Sequence, residues 1–520
     1  MFETLSERQK RVGMAVAIFL LTFLPVLMTI TSPGIAWDEV FYLGGGYSYG
    51  EWFSRIGIDA FQADVIRHHW QVNHEHPPVA KLIVRISMSL FGTPDNFVLP
   101  ARIGMAFTFG VLVMMTFVFM SHYFTVRVGL FTALSLLLMP RMFGHAHFSE
   151  LDMPMALAWF TGSVAFVIAA EKGRWWLLAS AAGFGLALLT KINAFAMPII
   201  LCPWAIYHFR KKSIGVCLSL IGGIALFFIG WPWLWIDPIG HLCGYLGTLG
   251  AKRTVIPVYF FGEVYGEGNR PPMFYPLIMA LGTVPLGTAL AALWGGWHSG
   301  RAVRNALPVE TFLLVNAGFI ILSACSPNVP KYDGTRLFLP AFPFIACLAG
   351  LGLDRGFKWL REKLGSEQKA IAVAGLYLTI QIGGLVWIHP HYLCYYGGML
   401  GGTAGAHKLG METNYWNEVF DDEALMYVTK NTPRNGTYCV FPYGHFASEQ
   451  LLDPLVKNLR PDIRRVPFDP ADWDLLVLIC RQGMFTEKAW QIYRHQEPAF
   501  VNSRQGVPLC MIFEKDTTGN

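Results

Sequence analysis

Residues 13–42 read GMAVAIFLLTFLPVLMTITSPGIAWDEVFY. The stretch 13–31 carries no charge and is long enough to cross about 30 Å of hydrocarbon, which takes roughly 18 to 25 residues. Directly behind it, Trp37-Asp38-Glu39-Val40-Phe41-Tyr42 sets two adjacent carboxylates among aromatic side chains. That is the depth at which Trp and Tyr prefer to sit. No small-residue cleavage site follows the apolar run, so the expectation is a retained first span, not a removed signal peptide.

The rest of the chain has the same character. Of its 520 residues 53% are hydrophobic and only 14% are charged, with 39 Phe and 17 Trp. A soluble protein usually carries about 25% charged residues. The deficit excludes an ordinary cytosolic enzyme, a disordered protein and a secreted disulfide scaffold. A net charge of +5 is too small on this length for a nucleic-acid binder.

Apolar runs predict spans near 13–31, 100–122, 126–143, 153–170, 174–190, 192–208, 213–236, 273–297, 309–326, 336–353 and 370–389, about 11 transmembrane helices. Basic residues orient them. Arg8, Lys10 and Arg11 precede the first span, and Arg127, Lys172 with Arg174, Arg210-Lys211-Lys212, Arg301 with Arg304 and the run from Arg355 to Lys369 fall on the same side. The positive-inside rule makes that side, and the N-terminus, cytoplasmic. The outward connections are then 32–99, 144–152, 237–272, 327–335 and everything after 390.

Residues 390–520 differ in composition, because charges return. Tyr438–Phe441, Leu475–Ile479 and Leu509–Phe513 read as buried strands, and helical patterns fall near 415–430, 446–458 and 486–495. The expected fold is an all-α polytopic membrane domain over 1–389 with a small extracytoplasmic α/β domain over 390–520. The Gly- and aromatic-rich stretch from Tyr395 to Trp416 is expected to pack on the membrane part. Nine cysteines form no Cys-x-x-Cys pair and give no zinc site. Cys202, Cys217, Cys243, Cys325 and Cys347 read as small core residues, while the last four lie where a disulfide is permitted.

The outward loop 32–99 holds the chemistry. Asp38 can cap a helix or, partly desolvated near the membrane surface, act as a general base. Further on, Asn73-His74-Glu75-His76-Pro77-Pro78-Val79-Ala80-Lys81 fixes an extended approach and starts a helix over about 79–91, which is too short to span and lies in the interface. His74 and His76 lack a third metal ligand at known spacing.

The pattern Asp38-Glu39-Val-Phe-Tyr-Leu-Gly-Gly followed by His76-Pro77-Pro78-Val-Ala-Lys81 resembles the protein O-mannosyltransferases. It extends to the wider class of GT-C glycosyltransferases, including the bacterial aminoarabinose transferases. Arg102 at the second span, Asp152 in Ser149-Glu150-Leu151-Asp152, Lys191 in Leu-Leu-Thr-Lys-Ile-Asn, and Arg336 after Tyr332-Asp333-Gly334-Thr335 match family positions. His74-Glu75 replaces the mannosyltransferases' usual Asp-Val, and the eukaryotic β-trefoil repeats are missing, which points to a bacterial inner membrane.

The resemblance implies an inverting transfer from a polyprenyl-phosphate sugar to a lipid, glycan or protein acceptor on the outer face. Within it Asp38 is the expected base, Glu39 positions the loop or the acceptor, and Asp152 is a second acidic site residue. Arg102, Lys191 and Arg336 are expected at the leaving phosphate, and His76 and Lys81 at acceptor or phosphate. Arg270 lines the site or merely its loop, and His145 and His147 are read as interface residues. No cofactor is required, since Lys and Arg supply the charge a divalent metal otherwise would. The competing readings are a transporter or flippase, which would place charges in mid-span, and a non-catalytic scaffold, which would tolerate loss of Asp38.

Overall fold

The computed structural model describes residues 5–92, 98–250, 256–302, 308–442, 459–469 and 473–515. It is mainly helical, with a small sheet near the C-terminus. Helix α1 (Leu5–Thr29) is followed by the loop that carries Asp38, then by α2 (Glu39–Ser54), α3 (Ala63–Trp70) and α4 (Val79–Phe91). α4 begins directly after Pro77-Pro78, and the Val79 amide, left without a partner in its own helix, donates to the Leu189 carbonyl at 3.0 Å. Its 13 residues are too short to span and carry Lys81 and Arg85, as the sequence reading requires.

The membrane bundle continues with α5 (Val98–Tyr123), α6 (Val126–Leu137), α7 (Pro140–His145), α8 (Asp152–Lys172), α9 (Trp175–Leu188), α10 (Met197–Phe209) and α11 (Ser213–Ile229). Two short helices, α12 (Trp233–Ile236) and α13 (Pro238–Gly250), lead to a hairpin of β1 (Val258–Phe260) and β2 (Glu263–Tyr265). Then come α14 (Tyr275–Gly282), α15 (Leu286–Ala302), α16 (Pro308–Ala324), α17 (Phe342–Leu364) and α18 (Glu367–Ile388).

Among the described residues, six helices are long and apolar enough to cross a membrane, or seven if one bent pair is a single span. Three shorter apolar helices, α6, α9 and α16, fall on further expected spans. α6 and α9 have 12 and 14 residues, about 18–21 Å at 1.5 Å per residue, short of the hydrocarbon thickness. The expected span 126–143 breaks before Pro140, where α7 restarts. The expected span 273–297 is bent by 115° between α14 and α15, at Thr283-Val284-Pro285. Proline cannot continue the helix there, and the carbonyl of Gly282, the last residue of α14, accepts from Gly397 N at 2.7 Å. The expected spans 192–208 and 213–236 correspond to α10 and α11, which pack on each other across the basic turn Arg210-Lys211-Lys212, where the φ of Arg210 is 50°.

Burial separates centre from rim. The most apolar window of α8 is 78% buried inside the protein, that of α18 only 6%. Leu376, Ile380, Val386 and Trp387 of α18 are exposed, as expected of a lipid-facing helix. α9 packs closely on α8 because a Cβ on Gly183 would lie 2.7 Å from the Gly162 Cα.

The C-terminal unit is built on a five-stranded sheet in the order β4-β3-β5-β7-β6. Its strands are β3 (Thr437–Phe441), β4 (Arg464–Arg465), β5 (Leu475–Ile479), β6 (Phe500–Arg504) and β7 (Val507–Glu514). β3 runs parallel to β4 and β5, and β7 runs antiparallel to β5 and β6. All three expected strands form, because each is an apolar run buried on both faces. Helices form over Asp422–Asn431, whose N-cap Asp421 accepts from Ala424 N at 3.2 Å, and over Glu487–His495. The expected helix over 415–430 starts late because residues 411–420 form an irregular segment, with a turn from Asn417 to Phe420, that docks on the bundle through Tyr415. The pattern at 446–458 lies outside the described residues. All nine cysteines are free thiols.

Candidate active site

The two adjacent acids of the first loop part company. Glu39 is wholly buried and turns inward to Arg102, whose Nε and Nη2 meet its two carboxylate oxygens at 2.8 and 2.7 Å. It also accepts from Ala36 N at 2.9 Å and Ser149 N at 3.0 Å. Arg102 gives its other donors to the carbonyls of Ile30 at 2.9 Å, Pro33 at 3.2 Å and Gly34 at 2.7 Å. A buried, bidentate pair with its remaining groups bonded is the stable form of such an interaction. Arg102, expected at a phosphate, is thus the latch of the first loop, and Glu39 is a positioning residue. Gly34 completes the latch from the other side: its amide donates to Glu418 O at 2.8 Å, and a Cβ there would lie 2.3 Å from Phe420 O.

Asp38 sits at the N-terminal boundary of α2 without capping it. Its carboxylate instead meets Arg336 Nη2 in a close ion pair, and its side chain stays 17% exposed. Arg336 Nε reaches Asp152 Oδ2 at 3.0 Å, and its Nη1 reaches Asp333 Oδ2 at 2.8 Å. Lys191 Nζ closes on the other Asp152 oxygen. The guanidinium also lies 5.1 Å from the Trp416 ring centre. Four expected site residues, Asp38, Asp152, Lys191 and Arg336, therefore meet in one ionic centre, although they are far apart in the chain.

The surroundings tune that centre. Burial raises the Asp38 pKa, the Arg336 charge pulls it back, and the Asp333 and Asp152 charges push it up again; the net direction is upward. Glu150 accepts from Met153 N at 2.9 Å, and burial together with the Asp152 charge holds its carboxyl well above the usual range. His145 faces Glu150 at 3.6 Å and is held down to about 3 by burial. His76 stacks on Tyr42 with ring centres 6.3 Å apart, and burial and the Lys81 charge keep it neutral. The Tyr42 hydroxyl is buried near these carboxylates without a hydrogen-bond partner.

Lys81 corrects a second expectation. Its ammonium is fully buried and donates to the Tyr49 hydroxyl at 3.0 Å, the Asn73 carbonyl at 2.5 Å and the His76 carbonyl at 2.7 Å. Those contacts use all three donors to hold the 73–76 turn, and burial lowers its pKa to about 7. Arg270 is exposed and bonds the Pro327 carbonyl at 3.0 Å, a loop role. His74 bonds Gln71 O at 2.8 Å and lies against Trp233, so it does not join His76 in a metal site.

Other residues of the site carry no role in the sequence reading. Asp333 was visible only as part of a motif, and its φ of 53° turns the chain so that its carboxylate comes back to Arg336. Arg481, just beyond β5, donates to Asp333 Oδ1 at 2.6 Å and to Tyr415 O at 2.5 Å. Tyr415 donates or accepts with His145 Nε2 at 3.1 Å, so the aromatic stretch does pack on the bundle. His147 bonds Thr29 Oγ1 at 2.9 Å and the Phe143 carbonyl at 2.8 Å; it and His145 are wholly buried within the protein, which corrects the expectation that both are interface residues.

Among the described residues, His145, Glu150 and Asp152 alone bring three ligand-type atoms together, within 4.8 Å of one another. Asp152 already faces two cations, which oppose binding of a third. A cavity of about 260 Å³ lies on the far side of the latch, between Pro33 to Ile35, Val98, Phe420 and Val440, and does not include the ionic centre.

The family described as dolichyl-phosphate-mannose-protein mannosyltransferase matches residues 75–236, the part that carries His76, Lys81, Arg102, Asp152 and Lys191. The fold is similar to that of ArnT from Cupriavidus metallidurans in the apo state, with a TM-score of 0.56, 15% identity, and coverage of 97% of this chain and 98% of that one. It is similar also to ArnT from the same organism bound to undecaprenyl phosphate, with a TM-score of 0.52, 17% identity and 98% of each chain covered. No curated protein matches by sequence.

Proposed function

Because the chain has the GT-C glycosyltransferase fold, of the mannosyltransferase and ArnT type, we propose that it moves a sugar from a polyprenyl-phosphate donor to a lipid, glycan or protein acceptor at the extracytoplasmic face, with inversion. The observation that carries this reading is the convergence of Asp38 and Asp152 on Arg336, with Lys191 beside them. The undecaprenyl phosphate bound in the ArnT structure supports a lipid phosphate as the leaving group.

In this reading Asp38 takes the proton of the acceptor hydroxyl. The acceptor oxygen forms its bond to the anomeric carbon as the bond from that carbon to the phosphate oxygen breaks on the opposite face. The electron pair leaves with the phosphate, and Arg336 and Lys191 meet the growing charge. Asp152 holds those two cations in place until phosphate competes for them. A raised Asp38 pKa makes a stronger base than a solvated carboxylate, provided the pH keeps it ionised. Glu39, Arg102 and Lys81 shape the loop, and His76 offers a neutral ring at its edge. Two cations supply the positive charge, so the reaction as proposed needs no divalent metal. In this reading the N-terminus is cytoplasmic and the sheet unit lies outside a bacterial inner membrane, an orientation that the basic clusters on one side support.

The test is glycolipid and glycoprotein mass spectrometry of a deletion strain complemented with wild type or with Asp38→Asn. The deletion strain's product lacks the mass of one sugar; wild type restores that mass, and Asp38→Asn does not. Full restoration by Asp38→Asn rejects the catalytic reading.

A further inference from the structure

The ionic centre does not end inside the membrane bundle. Asp333 is 2% exposed and gives one carboxylate oxygen to Arg336 at 2.8 Å and the other to Arg481 at 2.6 Å. Arg336 belongs to the bundle; Arg481 belongs to the sheet unit, two residues past the end of β5. β5 is the central strand of that unit, paired on both sides, so the residue following it is held by the most rigid part of the sheet. Arg481 itself is 3% exposed and fixed at two points, through Nη2 to Asp333 and through Nη1 to Tyr415 O.

The charges explain why this contact matters. Arg336 and Lys191 face Asp38, Asp152 and Asp333, two cations against three carboxylates. Arg481 is the third cation and balances the set. Without it, Asp333 would hold a buried negative charge whose only remaining ion pair is with Arg336, and would draw that guanidinium away from Asp38 and Asp152. Asp333 is held at φ 53° beside Gly334 at φ 63°, so the backbone on which the carboxylate stands is a tight left-handed turn. A carboxylate clamped between two guanidiniums has its orientation fixed at both ends.

We propose that Arg481 is a positioning residue for the transfer reaction: through Asp333 it fixes the guanidinium of Arg336, so the sheet unit completes the active site instead of merely covering it. This rests on the proposed glycosyl transfer. Its consequence is that the bundle without the sheet unit keeps Asp38, Asp152 and Lys191 but holds Arg336 in a different place.

The experiment uses the full chain in membranes, with undecaprenyl phosphate carrying the sugar lost from the deletion strain as donor. Arg481→Met, Arg481→Lys, Asp333→Asn and the Arg481→Met/Asp333→Asn double variant are compared, each with its thermal unfolding. A misplacement on the order of 1 Å can lower a rate about 100-fold. The expected result is a fall in kcat of about 10- to 100-fold for Arg481→Met, with donor KM within about threefold, because Arg336 acts on charge that develops during the reaction. Arg481→Lys keeps the charge and recovers part of the rate. The double variant is no slower than the slower single variant, since both act through one link. Wild-type kcat in folded Arg481→Met, or losses that multiply in the double variant, overturns the inference and leaves the proposed function standing. Should Arg481→Met not fold, folded Asp333→Asn with wild-type kcat overturns it equally, because that variant breaks the same link. Absence of transfer by the wild type overturns the proposed function and the inference with it.

Discussion

Asp38 and Glu39 are neighbours in the chain, yet their carboxylates are held in very different ways. Glu39 has no exposure, a bidentate arginine and two backbone amides. Asp38 has a single arginine, shared with two other carboxylates, and keeps 17% of its side chain open. The difference follows from helix geometry, since adjacent residues at the start of α2 point in different directions. A carboxylate whose lone pairs are all taken is a fixed brace. One that shares its partner can accept a proton.

The sharpest way to break the comparison is to neutralise each acid in turn. Asp38→Asn lowers sugar transfer by about 10²- to 10⁴-fold, the usual contribution of a general base, while leaving thermal unfolding near wild type. Glu39→Gln does the reverse. Removing one partner of a buried pair costs about 3–5 kcal/mol of stability, read as a lower unfolding temperature of the detergent-solubilised protein, and the rate per folded molecule changes less than in Asp38→Asn. Equal rate losses per folded molecule would erase the distinction.

A smaller effect concerns pH. Asp38 must be ionised to take a proton, and its folded pKa is raised, so kcat falls as pH falls through a value above the ordinary carboxylate range near 3.9. The Asp333 charge contributes to that rise. Asp333→Asn therefore moves the acidic limb to lower pH even as it lowers the maximum rate, and a limb that moves upward contradicts the assignment. At the bottom of the scale, Lys488→Ala removes a half-exposed pair with Asp469 at 2.8 Å on the sheet unit. Such pairs contribute about 0–1 kcal/mol, so unfolding and transfer both stay near wild type.

The membrane class and the strand cores were legible because apolar runs of span or strand length have few other destinations. Asp38, Asp152, Lys191 and Arg336 were legible as well, each being an ionisable group at the end of such a run. Arg102, at the end of such a run, and Lys81, on the short interfacial helix, have their donors taken by neighbouring groups, which a sequence does not show. Arg481 lay hidden among the ordinary charges of residues 390–520; only the docking of β5 beside the bundle brings it to Asp333. The breaks inside two expected spans were not legible, because Pro140 and Pro285 interrupt apolar stretches while leaving them apolar.

The rim helix α18 leads directly into the sheet unit, yet only 6% of its apolar window is buried. It therefore behaves as a tether and not as a beam. The bearing of the sheet unit on the bundle is set beyond it, by Gly34 on Glu418, by Arg504 on His389 at 2.9 Å and by Arg481 on Asp333. The lipid-facing Leu376, Ile380 and Val386 therefore serve only to match the membrane, while Tyr377 on the other side bonds Thr288 at 2.9 Å. The few residues at the seam, by contrast, must change together or not at all.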